Sequence, residues 1–269
     1  MKQITLSAQD KARIFFQFLY RDFYVYLKRI QTYAINFIVL YPLTYIVSFA
    51  YIQAKAYFGI DNITQATIFF SGNVILLAMS LAFEFTIILL FDLENDRTID
   101  YRITRLDPLL VLLEHIVFTT LFSFILLLPF FPITALVLQK NFDISHISWP
   151  LLFLMLFLSC LCCATYHLLV ACALKNSKQI VHFWMRCNLP LMTLGGFWVP
   201  WYIMNQYSQY LGILTLFNPL LYATEGMRQA IIGGNMFLSA SSCGLGLIIF
   251  SLIFTILTSW LFKKKVDHI

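Results

Sequence analysis

The residues able to do chemistry are few and fall in three groups. The densest runs from Asp92 to Pro108, where Asp92, Glu94 and Asp96 come first and Arg97, Arg102 and Arg105 follow. Anions early and cations late suit a short helix, whose N-terminal end is partly positive. Arginine also offers a planar fork that pairs with carboxylates on a partner. The same charges fit a solvated loop that only fixes chain direction, and both readings stand here. Glu225 and Arg228 form the second group. Three apart on a helix they share a face and can pair, which at a surface is worth little. The third group is Glu84, Glu114 and Arg186, each set in a mostly apolar run. Such charges are rare within a membrane and mark function by default. Glu84 and Arg186 are candidates to pair, which would remove two lone charges from a low-dielectric setting.

Enzyme signatures are missing. There is no GxxxxGK[ST] phosphate-binding loop, no HExxH and no GxSxG. His146, His182 and His268 fall in predicted loops or at segment ends. His115 and His167 are isolated in apolar runs and read as internally hydrogen-bonded residues rather than ligands. Cys160, Cys162, Cys163 and Cys172 lie in one apolar run, with Cys187 and Cys243 apart. Their spacing is not that of a zinc site, and they read as small packing residues.

The elements that must position these residues are apolar. Of 269 residues, 60% are hydrophobic and 12% charged, with a mean hydropathy of +0.79. A soluble domain carries about 25% charged residues. The expected fold is therefore an all-α integral membrane protein, a single domain over 1–269. Six stretches reach the ~20 residues needed to cross about 30 Å of hydrocarbon: 33–54, 67–91, 109–138, 150–174, 183–203 and 241–262. Backbone groups in lipid must bond within the segment, so these are expected to be helices. The run starting at Tyr33 is too long for the apolar core of a signal peptide and reads as a span.

Lysine and arginine set the expected orientation. The leader holds Lys2, Lys11, Arg13, Arg21, Lys28 and Arg29, and the connector after the second span Arg97, Arg102 and Arg105. Lys175, Lys178 and Arg186 follow the fourth span, and Lys263, Lys264 and Lys265 the sixth. Only Lys55, Lys140 and Arg228 fall on the other side. Both termini are thus expected in the cytoplasm, and the pattern is one of membrane orientation rather than of nucleic-acid binding.

Residues 1–32 read as an amphipathic leader helix. Ser7 and Asp10 resemble a capping start. Ala12, Phe16, Leu19, Phe23, Tyr26 and Ile30 share a stripe, and Asp10, Gln17, Arg21 and Lys28 lie opposite. Such a helix suits the membrane surface or a partner subunit. Pro129 and Pro132 should bend the third span or end it ahead of a short outer segment. Residues 204–240 are too apolar for an ordinary loop. They read as an outer re-entrant region, turning at Asn218-Pro219, with a helix from about Leu220 to Ile232 closed by Gly233-Gly234.

The chain resembles the permeases of type-2 ABC exporters over essentially its whole length. The likeness rests on Leu19-Tyr20-Arg21-Asp22 in the leader, Tyr41-Pro42-Leu43 in the first span and Arg97-Thr98-Ile99-Asp100-Tyr101 in the connector. The most specific stretch runs from Phe217 to Arg228, with Asn218-Pro219, Tyr222, Glu225 and Arg228. The chain departs from the common pattern in Arg97, where many members have glycine, and in Pro108, which comes late after Asp100.

The resemblance implies that 92–108 is a coupling helix seated on a separate cytosolic ATPase, with Glu94, Arg97, Thr98, Asp100, Arg102 and Arg105 in that role. It implies that Asn218, Pro219, Tyr222, Glu225 and Arg228 belong to outer re-entrant helices. It further implies a homodimer with two ATPase subunits in a bacterial inner membrane, with ATP and magnesium on the partner and no cofactor on this chain. The cargo would be a polysaccharide, glycolipid, lipid or drug-like molecule. Two other readings remain. An ion- or proton-coupled carrier would use Glu84 or Glu114 as a relay, and a membrane lipid transferase would use Asp92, Glu94, Asp96 and His115.

Overall fold

The computed structural model describes residues 7–28, 31, 34–40, 43–44, 62–94, 101–138, 147–234 and 236–266. Every regular element among them is helical. The longer helices are α1 (Ala8–Lys28), α2 (Asn62–Glu94), α3 (Pro108–Leu127), α4 (Phe130–Leu138) and α5 (Trp149–Ala173). They continue with α6 (Leu189–Leu194), α7 (Trp201–Tyr207), α8 (Gln209–Thr215), α9 (Pro219–Ile231) and α10 (Ala240–Val266).

Four stretches are long and apolar enough to cross a membrane: Thr67–Glu94, Pro108–Leu136, Trp149–Ala173 and Ala240–Lys265. They coincide with the second, third, fourth and sixth predicted spans. The first, at 33–54, lies largely outside the described residues, apart from the π-helical turns Ala34–Leu40 and Leu43-Thr44.

The fifth predicted span, 183–203, is not one rod. It runs as a π-helical segment, Trp184–Asn188, then α6, and then turns at Gly195-Gly196 before α7 starts at Trp201. Gly196 takes φ of 75°, a left-handed conformation open mainly to glycine. Its hydropathy resembles that of a span, but its backbone leaves the helix.

The proline pair marks a short break between α3 and α4. α3 ends at Leu127, and Leu128 keeps helical dihedrals of −56° and −44°. Pro129 supplies no N–H, and Pro132 falls in the first turn of α4, where a missing donor costs little. α5 is the hub, packed against α2, α3, α9 and α10. Its cysteines Cys160, Cys162 and Cys163 are free and buried in the main core, where small side chains let helices approach closely.

α1 docks on α3. Phe18 packs with Leu106 and Val111, and Phe23 and Tyr26 meet Phe118 and Phe122 with ring centroids 5.0–6.1 Å apart. The packed face is rotated from the predicted stripe. Phe18 and Asp22 are buried, while Ala12 and Phe16 are exposed. A second row, Phe16, Tyr20 and Tyr24, faces away from the protein. The rotation follows from Asp22, which is drawn inward by an arginine on the connector.

Polar links gather the basic segments at one end of the bundle. Lys11 Nζ donates to Asp107 at 2.8 Å. The Ser177 backbone N–H donates to the Glu94 carboxylate. Lys265 Nζ reaches the carbonyls of Leu174 at 2.7 Å and Ala171 at 3.2 Å, where cations favour a helix C-terminus.

Candidate functional site

Two buried polar clusters mark the opposite ends of the bundle. The first centres on Arg102. Its guanidinium donates to Glu114 Oε2 at 2.6 Å and to both Asp22 oxygens at 3.0 and 2.8 Å. Arg21 adds bonds of 3.1 and 2.8 Å to Asp22 Oδ1. The Phe18 ring lies 5.6 Å from the Arg102 guanidinium and 5.4 Å from that of Arg21, within cation–π range. Arg102 is 4% exposed and Glu114 1%. Burial pushes the Asp22 carboxyl up, but Arg102 and then Arg21 outweigh it and hold the group below the usual aspartate range.

This geometry divides the connector. Arg102 is turned inward and joins three elements: the connector, α1 and α3. Tyr101, Thr104 and Arg105 face outward, with the Arg105 guanidinium 4.6 Å from the Tyr101 ring. Glu94 is exposed at the end of α2 and holds the Ser177 turn. Arg97, Thr98 and Asp100 lie outside the described residues. The structure thus unites Arg102 and Glu114, which sequence reasoning kept apart, and adds Asp22, which it did not single out. The missed signal was an acid at Asp22 in the i, i+4, i+8 row Phe18, Asp22, Tyr26, on the apolar side of the leader.

Beside the cluster lies a cavity of about 440 Å³, bordered by Arg21, Asp22, Tyr26, Asp92, Arg102 and His115 among others. Asp22, Glu114 and His115 also bring three potential ligand atoms within 4.8 Å of one another. The Arg102 guanidinium already binds both carboxylates, so a cation there would compete with a fixed positive charge. The arrangement fits an internal ion-pair clamp better than a metal site.

The second cluster is built on α9. Asn218 caps the helix by accepting from the Leu220 N–H at 3.0 Å, and its amide donates to the Leu191 carbonyl at 2.6 Å. Pro219 occupies the first turn, where its missing donor is harmless. Tyr222 Oη donates to the Leu216 carbonyl at 2.9 Å. Glu225 and Arg228 pair at 2.8 Å with both side chains fully buried. They are no surface pair of little worth.

The rest of their bonds hold the broken fifth segment. Glu225 Oε1 accepts from the Trp201 N–H at 3.0 Å and Oε2 from the Leu238 N–H at 3.3 Å. Arg228 Nη2 donates to the carbonyls of Gly196, Phe197 and Ile68. Thr224 Oγ1 donates to the Gly195 carbonyl at 2.8 Å. A methyl on Gly196 would meet Thr224 Oγ1 at 2.8 Å. The glycine turn, the start of α7, the lead into α10 and the far end of α2 all converge on two charged side chains of α9.

A family model for the ABC-2 type transporter matches residues 14–232, from the leader helix through the end of this cluster. The chain belongs to the ABC-2 type transporter family. The family is one of transport membrane subunits, so this permease is a multi-pass membrane protein whose usual kind of partner is an ATPase. No curated protein and no solved structure matches it.

Within this permease the remaining intramembrane charges do not meet. Glu84 is half-buried on α2 and Arg186 is exposed on the π-helical segment, and no ion pair joins them. A carboxylate about three turns from the end of α2 and an arginine near the start of a broken segment face different surroundings. The isolated His167 is satisfied internally: Nδ1 lies 3.0 Å from the Cys163 carbonyl, and Nε2 3.5 Å from the Asn188 amide.

Proposed function

We propose that the chain is the membrane subunit of an ATP-driven exporter, working as a homodimer with two separate cytosolic ATPase subunits. The carrying observation is the Arg102 clamp. It fixes the end of the connector to α1 and α3 while leaving Tyr101, Thr104 and Arg105 outside. A push on that outer face would be transmitted through short, buried ion pairs, which yield less than solvated ones. The leader helix and third span would then move with the connector as one body, switching the bundle between inward- and outward-facing states.

On this reading 92–108 is the coupling element and lies in the cytoplasm of a bacterial cell, with both termini. Glu94 and Arg105 meet the ATPase together with Arg97, Thr98 and Asp100, and Arg102 positions them from inside. ATP and magnesium bind the partner, and this chain performs no covalent chemistry. The exposed row Phe16, Tyr20 and Tyr24 faces lipid at the interface, where tyrosine rings with their polar tips accumulate and the apolar Phe16 ring reaches the acyl region. The α9 cluster shapes the outer end of the path as a re-entrant element. The cargo is a polysaccharide, glycolipid, lipid or drug-like molecule. The carrier alternative is disfavoured at Glu114, because a carboxylate bound to Arg102 is a poor free relay.

The test is co-purification with the cytosolic ATPase, followed by hydrolysis measurements in lipid vesicles. Arg105→Glu is expected to weaken assembly and hydrolysis while the permease itself melts normally. Unchanged assembly and hydrolysis in that variant and in Tyr101→Ala would remove the coupling role from this face.

A further inference from the structure

Of the three charges set in apolar runs, Glu84 and Arg186 join neither cluster, and of these two only Glu84 is partly buried. It lies ten residues from Glu94 at the end of α2, roughly 15 Å along the helix. That depth is beyond the reach of a glutamate side chain seeking the interface. Among the described residues its carboxylate has no hydrogen-bond or ion-pair partner.

The surroundings of α2 change along its length. From Thr67 to Met79 every residue is buried. From Ser80 onward a stripe opens on one side, with Ser80, Phe83, Glu84 and Ile87 only partly covered. These positions step by three and four, so they form a single face. Phe83 sits at its edge, its ring tilted against Trp184 of the broken fifth segment at 4.5 Å between centroids and edge-on to His167 at 5.8 Å. An ionisable group on an open stripe at this depth does not belong against hydrocarbon; such groups face a protein interior or water.

We propose that this stripe lines a water-filled passage for cargo in the half of the bundle nearest the connector, and that Glu84 binds a cationic group of an amphiphilic cargo there. The inference rests on the export reading above and deepens it. The chemistry is complementary: a carboxylate supplies the counter-charge, and the neighbouring Phe83 and Trp184 rings suit an ammonium or guanidinium group and the apolar body behind it. Ser80, one turn away, adds a hydroxyl. In the inward-facing state the passage admits such a molecule from the end where the basic segments gather.

The experiment uses the full chain with its ATPase in lipid vesicles. Cys187 is the exposed cysteine of the six, so Cys187→Ser forms the background, and Ser80→Cys is the reporter beside an intact Glu84. Two thiosulfonate reagents are compared, one carrying trimethylammonium and one carrying sulfonate, each normalised to its rate with a free thiol. The cationic reagent is expected to react on the order of tenfold faster, from opposite-sign interactions with one charge about a helical turn away. Glu84→Gln should bring the ratio close to one. Leu252→Cys, on the uncovered face of α10, should stay unreactive with both.

An unreactive Ser80→Cys in a complex that still hydrolyses ATP would overturn the passage and leave export standing. A ratio unchanged by Glu84→Gln would overturn the cation-binding role. Failure to assemble with any ATPase, with the charge preference intact, would instead remove the export reading and leave the wet stripe.

Discussion

Among the described residues, replacing Arg102 with methionine removes the one cation that touches Glu114 and the stronger of the two that touch Asp22. Methionine keeps an apolar stem but not the guanidinium, so the cation–π contact with Phe18 goes as well, and the effect is chiefly electrostatic. Three bonds of 2.6–3.0 Å disappear from a site where arginine and both carboxylates are nearly or fully covered. Breaking a buried pair by deleting one partner costs about 3–5 kcal/mol, because the charge left behind stays desolvated. Arg21 still serves Asp22, so most of that loss falls on Glu114. For a chain of this size the melting temperature should drop on the order of 10 °C, read by thermal unfolding in detergent. Adding Glu114→Gln to Arg102→Met should recover a large part of the loss, since no bare carboxylate then remains. Arg102→Lys should fall between, keeping the charge but losing the fork that spans two carboxylates. A drop no larger than that of a surface substitution, or no recovery in the double variant, would refute the clamp.

At the other end, Arg228→Met should also destabilise by about 3–5 kcal/mol and loosen the glycine turn, read as faster proteolysis between α6 and α7. Gly196→Ala should cost about 1–2 kcal/mol from its positive φ alone, with more from the clash at Thr224, and a melting curve measures it. Asp22 should give a pH signature. Its folded pKa lies below the ordinary 3.8, so its contribution is full above that value and is lost as pH falls through the lowered one. Acid titration of stability should therefore show a component below 3.8 that Asp22→Asn abolishes, with a smaller change in the variant at neutral pH than Arg102→Met produces.

Much of the architecture was legible locally. Hydropathy sums over a window of neighbours, and a helix in lipid satisfies its own backbone, so the spans at 67–91, 109–138, 150–174 and 241–262 stood out without any tertiary knowledge. The turn at Asn218-Pro219 and the helix closed by Gly233-Gly234 were equally local. Asn218 caps through a bond two residues away, and both glycines take the left-handed φ expected of them. Glu225 and Arg228 were also legible as a pair, being three apart on one helix face.

What those local signals omitted were partners distant along the chain. Arg102 looks like any basic connector residue until it is placed beside Asp22, 80 positions earlier. The apolar run at 183–203 has the composition of a span, and it bends because Arg228 and Thr224 capture the carbonyls of Gly195 and Gly196, about 30 positions away. Leu19, Phe23 and Tyr26 of the predicted α1 stripe do pack on the core, but the inward turn of Asp22 was missed for the same reason, since an acid turns inward only when a buried cation waits for it. Composition determined that this chain lives in a membrane and which stretches are helical, because those depend on each residue's own transfer energy and on bonds to near neighbours. The fold alone decided which charges are buried, since the cost of desolvating one is offset only where the chain brings its counter-charge within reach.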